Sequence, residues 1–236
     1  MKHNPLVVIH QPDFIPYLGF FHRLLLADVW VVLDHVQINR RGWTHRDKIK
    51  TQNGMQWLTI PLQSAPRDSS INAILLANDP SWCQAHLNIL EASYKKAPFF
   101  AEIFPYCKDL YSHQFYNLSD FSLASVLMLL TLFDIDIVLM KSSDMLPETK
   151  SNALMAELVV KAGGNRYLSG LGAKAYFDPA PFDEAGVNVI WQQFEHPVYS
   201  QLHGAFVPQL TSLDLLFNCG INDSRKLLRS LVNEPF

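Results

Sequence analysis

The sequence predicts an α/β fold with a mainly parallel sheet and helices on both faces. Two segments near the amino terminus, residues 7–9 and 29–33, are apolar at every position and rich in β-branched side chains, as expected for strands covered on both sides. The stretch between them, residues 19–27, has the length and apolar character of a crossover helix. Strand and helix patterns alternate again between residues 135 and 194. Repeated βαβ units of this kind are typical of a doubly wound sheet.

The composition is that of a globular protein. The chain has 236 residues, of which 49% are hydrophobic and 17% charged, so it can bury a large core. Lys and Arg number 19 against 22 acidic residues, and a net charge of −3 favours neither nucleic acid nor anionic lipid as a partner. No repeat, low-complexity tract or flexible linker divides the sequence, and residues 1–236 are therefore expected to form a single domain.

Cysteine usage and hydropathy favour a cytoplasmic protein without a transmembrane segment. Cys83, Cys107 and Cys219 show no C-x-x-C spacing, which fits a reducing compartment. The amino-terminal apolar run, residues 6–9, is much shorter than the core of a secretory signal. The longest nearly apolar segment, residues 121–133, falls short of the roughly 20 residues that a spanning helix needs. No metal-binding spacing is present, so we expect no structural metal, and no motif indicates a cofactor.

The remaining elements follow from turn and periodicity signals. The Asn53-Gly54 pair predicts a hairpin over residues 48–62. Residues from about 80 to 133 have helical periodicity and form a predicted helical insertion, with Ser81 as the first cap and Ser119-Asp120 introducing the last helix. Later in the chain we predict strands at 135–141, 167–169 and 187–194, and helices at 151–162, 212–218 (closed by Gly220) and 224–232.

The loop after the first strand, HQPDFIPYLG, carries more polar side chains than a strand-to-helix connection requires. In open parallel sheets, ligands bind at the carboxyl ends of the strands, where this loop begins. Its candidate binding residues are Gln11, Tyr17 and Gly19, and His10 is a candidate catalytic acid or base. The alternative is a rigid proline turn in which His10 merely satisfies buried carbonyl groups.

A cluster of basic residues follows the second predicted strand. Arg40, Arg41, Arg46 and Lys48 lie close together in the sequence and beside Trp43, and guanidinium groups bind phosphate oxygens in bidentate fashion. The alternative is a solvated hairpin. Asp34 ends the second strand and is the second candidate catalytic residue, since a carboxylate there can orient arginines, contact a sugar hydroxyl or take a proton.

Two later loops are candidates for the same edge of the sheet. The stretch NRYLSGLGAKAYFD sets Ser169, Gly170 and Lys174 after a short strand, where glycine allows close approach of a ligand and lysine can neutralise an anion. An ordinary glycine turn is an equally good interpretation. The stretch FEHPVYSQ adds His196, Tyr199 and Gln201. We expect His10, Asp34, Arg46, Ser169 and His196 to line one concave surface.

Five stretches, taken in order, resemble the WbqC-like protein family over nearly the whole chain: HQPDFIPYLGFF, DHVQINRRGWTHRDKIK, WLTIPL, YLSGLGAKAYFD and HPVYSQLHGAFVPQLTSLDLLFNCG. The opening βαβ unit also resembles the nucleotidyltransferase superfamily in topology, with Tyr17-Leu18-Gly19-Phe20 where that superfamily has H-x-G-H. Motif positions of the WbqC-like family fall on most of the candidate residues named above and also on Gln37. The resemblance implies a role in bacterial O-antigen or other surface-polysaccharide synthesis, with glycine transfer as a suggested activity.

The leading hypothesis is a transferase that acts on a small, phosphate-bearing substrate such as a nucleotide-activated sugar or its precursor, attaching an aminoacyl group such as glycine. In this hypothesis the basic cluster holds phosphates, and His10 or Asp34 deprotonates the acceptor. The first alternative is a non-catalytic module that binds a sugar nucleotide or a partner protein. The second is an ATP-dependent ligase that forms an amide.

Overall fold

The computed structural model describes residues 4–39 and 41–232. Its strands, in chain order, are β1 (Leu6–His10), β2 (Val29–Val32), β3 (Arg46–Thr51), β4 (Gly54–Thr59), β5 (Val138–Lys141), β6 (Arg166–Ser169) and β7 (Asn188–Trp191). A parallel sheet has the strand order β5-β2-β1-β6-β7, and β3 pairs with β4 in a separate antiparallel hairpin. The predicted α/β class and parallel sheet are confirmed.

The helices are α1 (Leu18–Leu26), α2 (Ser81–Tyr94), α3 (Phe100–Ser112), α4 (Leu118–Phe133), α5 (Ser151–Lys161), α6 (Ala180–Glu184) and α7 (Ser212–Ser230). The last of these is interrupted at Gly220, as predicted, where φ is +73°. A β-carbon there would lie 2.5 Å from the ring of Phe99, so both the backbone angle and the close packing require glycine. No helix in the described part of the chain is long and apolar enough to cross a membrane.

Alternate side chains of the central strands enter two different apolar cores. Leu6 and Val8 of β1 point into the larger core, which they share with side chains of α1, α4 and α7. Val7 and Ile9 point the other way, into a core that includes side chains of α5 and α6. Because both faces of the sheet are covered, every position of β1 is apolar up to His10, which explains the continuous apolar run in the sequence.

The predicted helical middle section is formed by α2, α3 and α4, but its caps differ from those expected. Asp79 accepts hydrogen bonds from both the backbone N–H and the hydroxyl of Ser81, so Asp79 rather than Ser81 satisfies the start of α2. Helix α4 begins one turn earlier than predicted, with the Asn117 side chain accepting from the N–H of Asp120 at 2.8 Å. In each case the capping side chain lies two or three residues upstream of the position that we expected.

The strand order places a topological switch point between β1 and β6. The chain leaves β1 toward β2 on one side of the sheet and later returns to β6 on the other side. Loops that follow two such strands diverge, and the crevice between them is the usual ligand site of open α/β sheets. The loops that begin at His10 and Ser169 therefore occupy the position where this architecture places a site.

Candidate functional site

A cavity of about 980 Å³ lies at the carboxyl ends of β1 and β6. This volume is at the upper end of the range of about 300 to 1,000 Å³ that is usual for small-molecule pockets. One part of its lining comes from the loop after β1 and from α1, including His10, Asp13 and Arg23. The opposite part comes from the loop after β6 and from α5 and α6, including Gly170 and Phe182.

His10 is a neutral hydrogen-bonding group in this cavity at pH 7. Its Nδ1 atom lies 2.9 Å from the backbone oxygen of Gln11, and since a carbonyl only accepts, Nδ1 carries the hydrogen and Nε2 remains an acceptor. The ring packs edge-on against Phe20. Burial, with a further contribution from the charge of Arg23, lowers the pKa of His10 to about 3. His10 is therefore poorly suited to take up a proton near neutrality.

Asp13 titrates near neutrality and lies beside His10. One of its carboxylate oxygens is 3.6 Å from Nδ1 of His10. Burial raises the pKa of Asp13 to about 7, outweighing the opposite effect of the nearby Arg23 charge. A carboxyl group with a pKa near the working pH is suited to general acid–base catalysis. Asp13 was not among the predicted site residues, because an aspartate between two prolines is typical of an ordinary turn.

Arg23 is a buried cation in the wall of the cavity. Arg23 is only 6% exposed, and its Nε atom is buried without a hydrogen-bond partner. No ion pair among residues 4–39 and 41–232 involves its guanidinium group. Arg23 was also not predicted as a site residue, because a single arginine in a crossover helix carries no local signal of burial.

Several predicted site residues do meet in the cavity. Those that line it are His10, Gln11, Tyr17, Trp43, Ser169 and Gly170. The Gln11 side-chain oxygen accepts from the Thr44 hydroxyl at 3.0 Å, which fixes the orientation of its amide. Gly19 lies outside the lining and acts through its neighbour, because a β-carbon at Gly19 would overlap the ring of Tyr17. The loop after β1 is therefore part of the candidate site, as predicted from its position.

Asp34 lies outside the lining of the cavity and joins two strand ends. Its carboxylate accepts hydrogen bonds from the Ser142 hydroxyl at 3.0 Å and from the backbone N–H and hydroxyl of Ser143 at 2.9 and 2.7 Å. The Ser142 hydroxyl also receives the N–H of Asp34 at 3.1 Å. These contacts tie the end of β2 to the end of β5. Asp34 therefore follows a strand end, as predicted, and its observed contacts hold two strand ends together.

Arg46 and Lys48 of the basic cluster pack against tryptophan rings, and no described member of the cluster lines the cavity. Arg46 lies 4.3 Å above the ring of Trp57 and donates to the backbone oxygen of Arg41 at 2.8 Å. Lys48 lies 5.0 Å from the ring of Trp43 and 5.2 Å from that of Trp57. The Arg41 residue is exposed. Arg40 lies outside the described residues.

The candidates from the later loops, together with Gln37, also lie outside the cavity lining. Lys174 is 5.2 Å from the ring of Trp191, and Tyr199 donates to Asp214 at 2.9 Å. Gln201 accepts from the buried Nζ of Lys50 at 3.1 Å, and Gln37 donates to a backbone oxygen at 2.9 Å. These side chains therefore have partners within the fold.

His196 lies outside the cavity lining, in an aromatic cluster that includes the lining residue Phe194. Its Nδ1 donates to the backbone oxygen of Pro197 at 2.9 Å, and its ring contacts Phe194 and Tyr199. Burial lowers the pKa of His196. Of the five residues that we expected on one concave surface, the structure brings His10 and Ser169 together and leaves Asp34, Arg46 and His196 elsewhere.

Three comparisons with known proteins bear on this site. The model of the WbqC-like protein family matches residues 11–226. An uncharacterised protein of Mycobacterium tuberculosis is 33% identical over 216 residues, which are 91% of this chain and 94% of the mycobacterial one. No solved structure matches the sequence significantly. The family match includes the loop after β1, helix α1 and the loop after β6, and so covers most of the residues that form the cavity.

Proposed function

The chain belongs to the WbqC-like protein family, and we propose that it is a transferase whose reaction takes place in the cavity between the ends of β1 and β6. The observation that supports this most strongly is Asp13, a buried carboxyl group in the cavity wall whose pKa is raised to about 7. Ionisable groups that are buried in a cleft and titrate near neutrality occur preferentially at catalytic sites. Asp13 therefore takes the role of general base that the sequence suggested for His10 or Asp34.

In the proposed reaction, the carboxylate of Asp13 removes a proton from the hydroxyl or amino group of an acceptor as that group attacks the carbonyl carbon of an acyl donor. A bond forms between the acceptor and this carbon, and the bond from the carbon to the leaving group breaks. The proton then passes from Asp13 to the leaving group. His10, neutral with Nε2 free of hydrogen, can accept a hydrogen bond from a second O–H or N–H of the acceptor, one that is not transferred, and so orient it.

The size and lining of the cavity support a reaction between two molecules. Its volume of about 980 Å³ leaves room for a donor and an acceptor together, as direct transfer requires. The wall near Asp13 is polar, with Gln11 and Gln192, whereas Met155 and Phe182 line the other part. Two regions of different polarity suit two substrates of different chemistry.

The finer assignment is a place in bacterial surface-polysaccharide synthesis, with glycine or another aminoacyl group transferred to a nucleotide-activated sugar or its precursor. This assignment stays a prediction that rests on the family resemblance. Among the described residues, the basic side chains expected to hold its phosphates lie outside the cavity lining, so the geometry supports acyl transfer better than it supports diphosphate binding.

The test is a mass-spectrometric screen for new products. The purified protein is incubated with activated acyl donors, including aminoacyl and acyl thioesters, and with pools of amino sugars and sugar nucleotides. We expect product with the wild type and with Asp68→Asn, which changes an exposed aspartate, and at least about 100-fold less with Asp13→Asn. Equal turnover by Asp13→Asn would contradict the proposal.

The same screen, repeated with and without ATP and accompanied by thermal-shift measurements, separates the alternatives. Stabilisation by a sugar nucleotide without any product would support the non-catalytic binding module. Product that appears only when ATP is consumed would support the amide-forming ligase.

A further inference from the structure

Arg23 has no role in the proposed proton transfer. Within the described residues, its guanidinium group forms no ion pair. The guanidinium group is buried, lines the cavity and has no hydrogen-bond partner at Nε. An arginine remains protonated when it is buried, so the folded protein must carry this charge away from water. Buried charges in proteins are normally paired or hydrogen-bonded, and an unpaired one destabilises the fold.

The residues closest to Arg23 do not supply the missing anion. Asp13 is near enough to influence it electrostatically but forms no ion pair with it, and burial keeps this carboxyl group partly protonated at pH 7. On the other side, a β-carbon at Gly170 would lie 2.9 Å from Nη1 of Arg23. The guanidinium group therefore packs against the bare backbone of the loop after β6, at the switch point where ligands enter such sheets.

The charge of the lining limits what the cavity can hold. Within the described ranges, Arg23 is the only Lys or Arg of the lining and Asp13 its only carboxyl group. A phosphate monoester carries about −1.5 to −2 charges at pH 7, and a diphosphate carries more. One arginine compensates a single negative charge, which is the charge of a carboxylate.

The rest of the lining indicates what the carboxylate is attached to. Apolar and aromatic side chains occupy much of the wall formed by α5, α6 and the loop after β6, among them Met155, Leu171, Phe177 and Phe182. Such a wall favours a hydrocarbon or aromatic group over a strongly hydrated one. The lining thus combines one point of positive charge with an apolar region.

We infer that the cavity binds a substrate with a single carboxylate group, held by the guanidinium group of Arg23 through charge-assisted hydrogen bonds, with its apolar part against Met155 and Phe182. This inference rests on the proposed function, because it names the substrate class of the same site. The planar guanidinium group can bind both oxygens of a carboxylate, which fixes the direction of the bound molecule.

The test uses benzoate, phenylacetate and acetate as probes and benzamide as the uncharged match, in titrations followed by calorimetry and by thermal shift. We expect the wild type to bind at least one of the aromatic carboxylates and not benzamide. Arg23→Gln should weaken that binding about 10- to 100-fold, the value of a charge-assisted hydrogen bond. The control Arg67→Gln changes an exposed arginine outside the cavity and should bind like the wild type.

Two outcomes would overturn the inference. One is that none of the three carboxylates binds, or that inorganic phosphate or diphosphate binds in their place. The other is that Arg23→Gln binds the carboxylate as well as the wild type does. Asp13→Asn should still bind the carboxylate, so a loss of turnover in that variant tests the proposed function without testing this inference.

A second variant separates ligand binding from a structural role for the arginine. Arg23→Met keeps the length and apolar stem of the side chain but removes the unpaired charge. The ligand-free variant should therefore melt at the same temperature as the wild type or higher. A melting temperature several degrees lower would mean that Arg23 is held by the fold for stability, and would also overturn the inference.

Discussion

A carboxylate oxygen of Asp13 lies 3.6 Å from Nδ1 of His10, yet the two residues do not form a charged pair at neutral pH. Burial raises the pKa of Asp13 to about 7 and lowers that of His10 to about 3. At pH 7 the histidine is neutral, and the carboxyl group is divided between its two protonation states. Proton exchange at this site therefore belongs to Asp13, and His10 contributes hydrogen bonding and orientation.

The raised pKa of Asp13 predicts how stability depends on pH. Between its usual value of 3.8 and about 7, the folded state holds a proton that the unfolded state has released, so stability falls as the pH rises through this range. The full loss above pH 7 is at most about 4 kcal/mol, from roughly three pKa units at about 1.4 kcal/mol each. Asp13→Asn removes this loss and should be more stable than the wild type at pH 8 but not at pH 4. Urea denaturation at the two pH values measures the difference, and an equal difference at both would contradict the raised pKa.

Ser142→Ala should destabilise the protein without affecting the cavity. The Ser142 hydroxyl is fully buried, donates to Asp34 at 3.0 Å and receives the N–H of Asp34 at 3.1 Å. Leaving these groups unsatisfied costs about 1 to 3 kcal/mol. Ser112→Ala, which changes an exposed serine, is the matched control for chemical denaturation. A Ser142→Ala variant that is fully stable but inactive would restore the network around Asp34 as a catalytic candidate.

Gly170→Ala should lower the binding free energy of a carboxylate by more than it lowers the free energy of unfolding. The new β-carbon would lie 2.9 Å from Nη1 of Arg23, and the guanidinium group must shift to relieve this contact. Gly172→Ala is a close control, because a β-carbon at Gly172 meets nothing within 4 Å. We expect benzoate affinity to fall severalfold in the first variant and to remain unchanged in the second, by calorimetric titration. Equal affinities in both variants would argue against a ligand position next to Arg23.

Arg46→Lys should weaken the hairpin region and leave the cavity unaffected. Lysine keeps a cation near Trp57 but loses the hydrogen bond that Arg46 donates to the backbone oxygen of Arg41 at 2.8 Å. The expected loss is about 0.5 to 1.5 kcal/mol in chemical denaturation. Titration with inorganic diphosphate serves as the second readout. Diphosphate binding that depends on Arg46 would support the hypothesis that the basic cluster binds phosphate groups.

The parallel sheet and the position of the loop after its first strand could be predicted from the sequence because their signals are local. Apolar runs at residues 7–9 and 29–33 require burial on both faces, and the loop after such a strand lies at the carboxyl edge wherever the helices pack. The short helix α6 was not predicted, and the segment Leu171–Tyr176, which is a 3-10 helix, was interpreted as a glycine loop. With five and six residues, these segments are too short to show a repeating helical pattern.

The site itself depends on contacts between distant parts of the chain. Arg23 is buried because the loop that begins at Gly170 packs against it, and no pattern around Arg23 records that contact. Asp34 and Tyr199 are predicted site residues that lie outside the cavity lining. Asp34 accepts a hydrogen bond from Ser142, and Tyr199 donates one to Asp214. Neither partner is close in the sequence. Burial and pairing, which decide whether a polar side chain is functional, are properties of the folded state.

The most direct test is a carboxyl ¹³C NMR titration of the protein labelled at its aspartates, with Asp13 assigned by the signal that disappears in Asp13→Asn. If Asp13 is the proton-transfer group of the cavity, its signal titrates with a pKa near 7, and the signal shifts when benzoate is added. A pKa near the usual value of 3.8, unchanged by benzoate, would contradict the account.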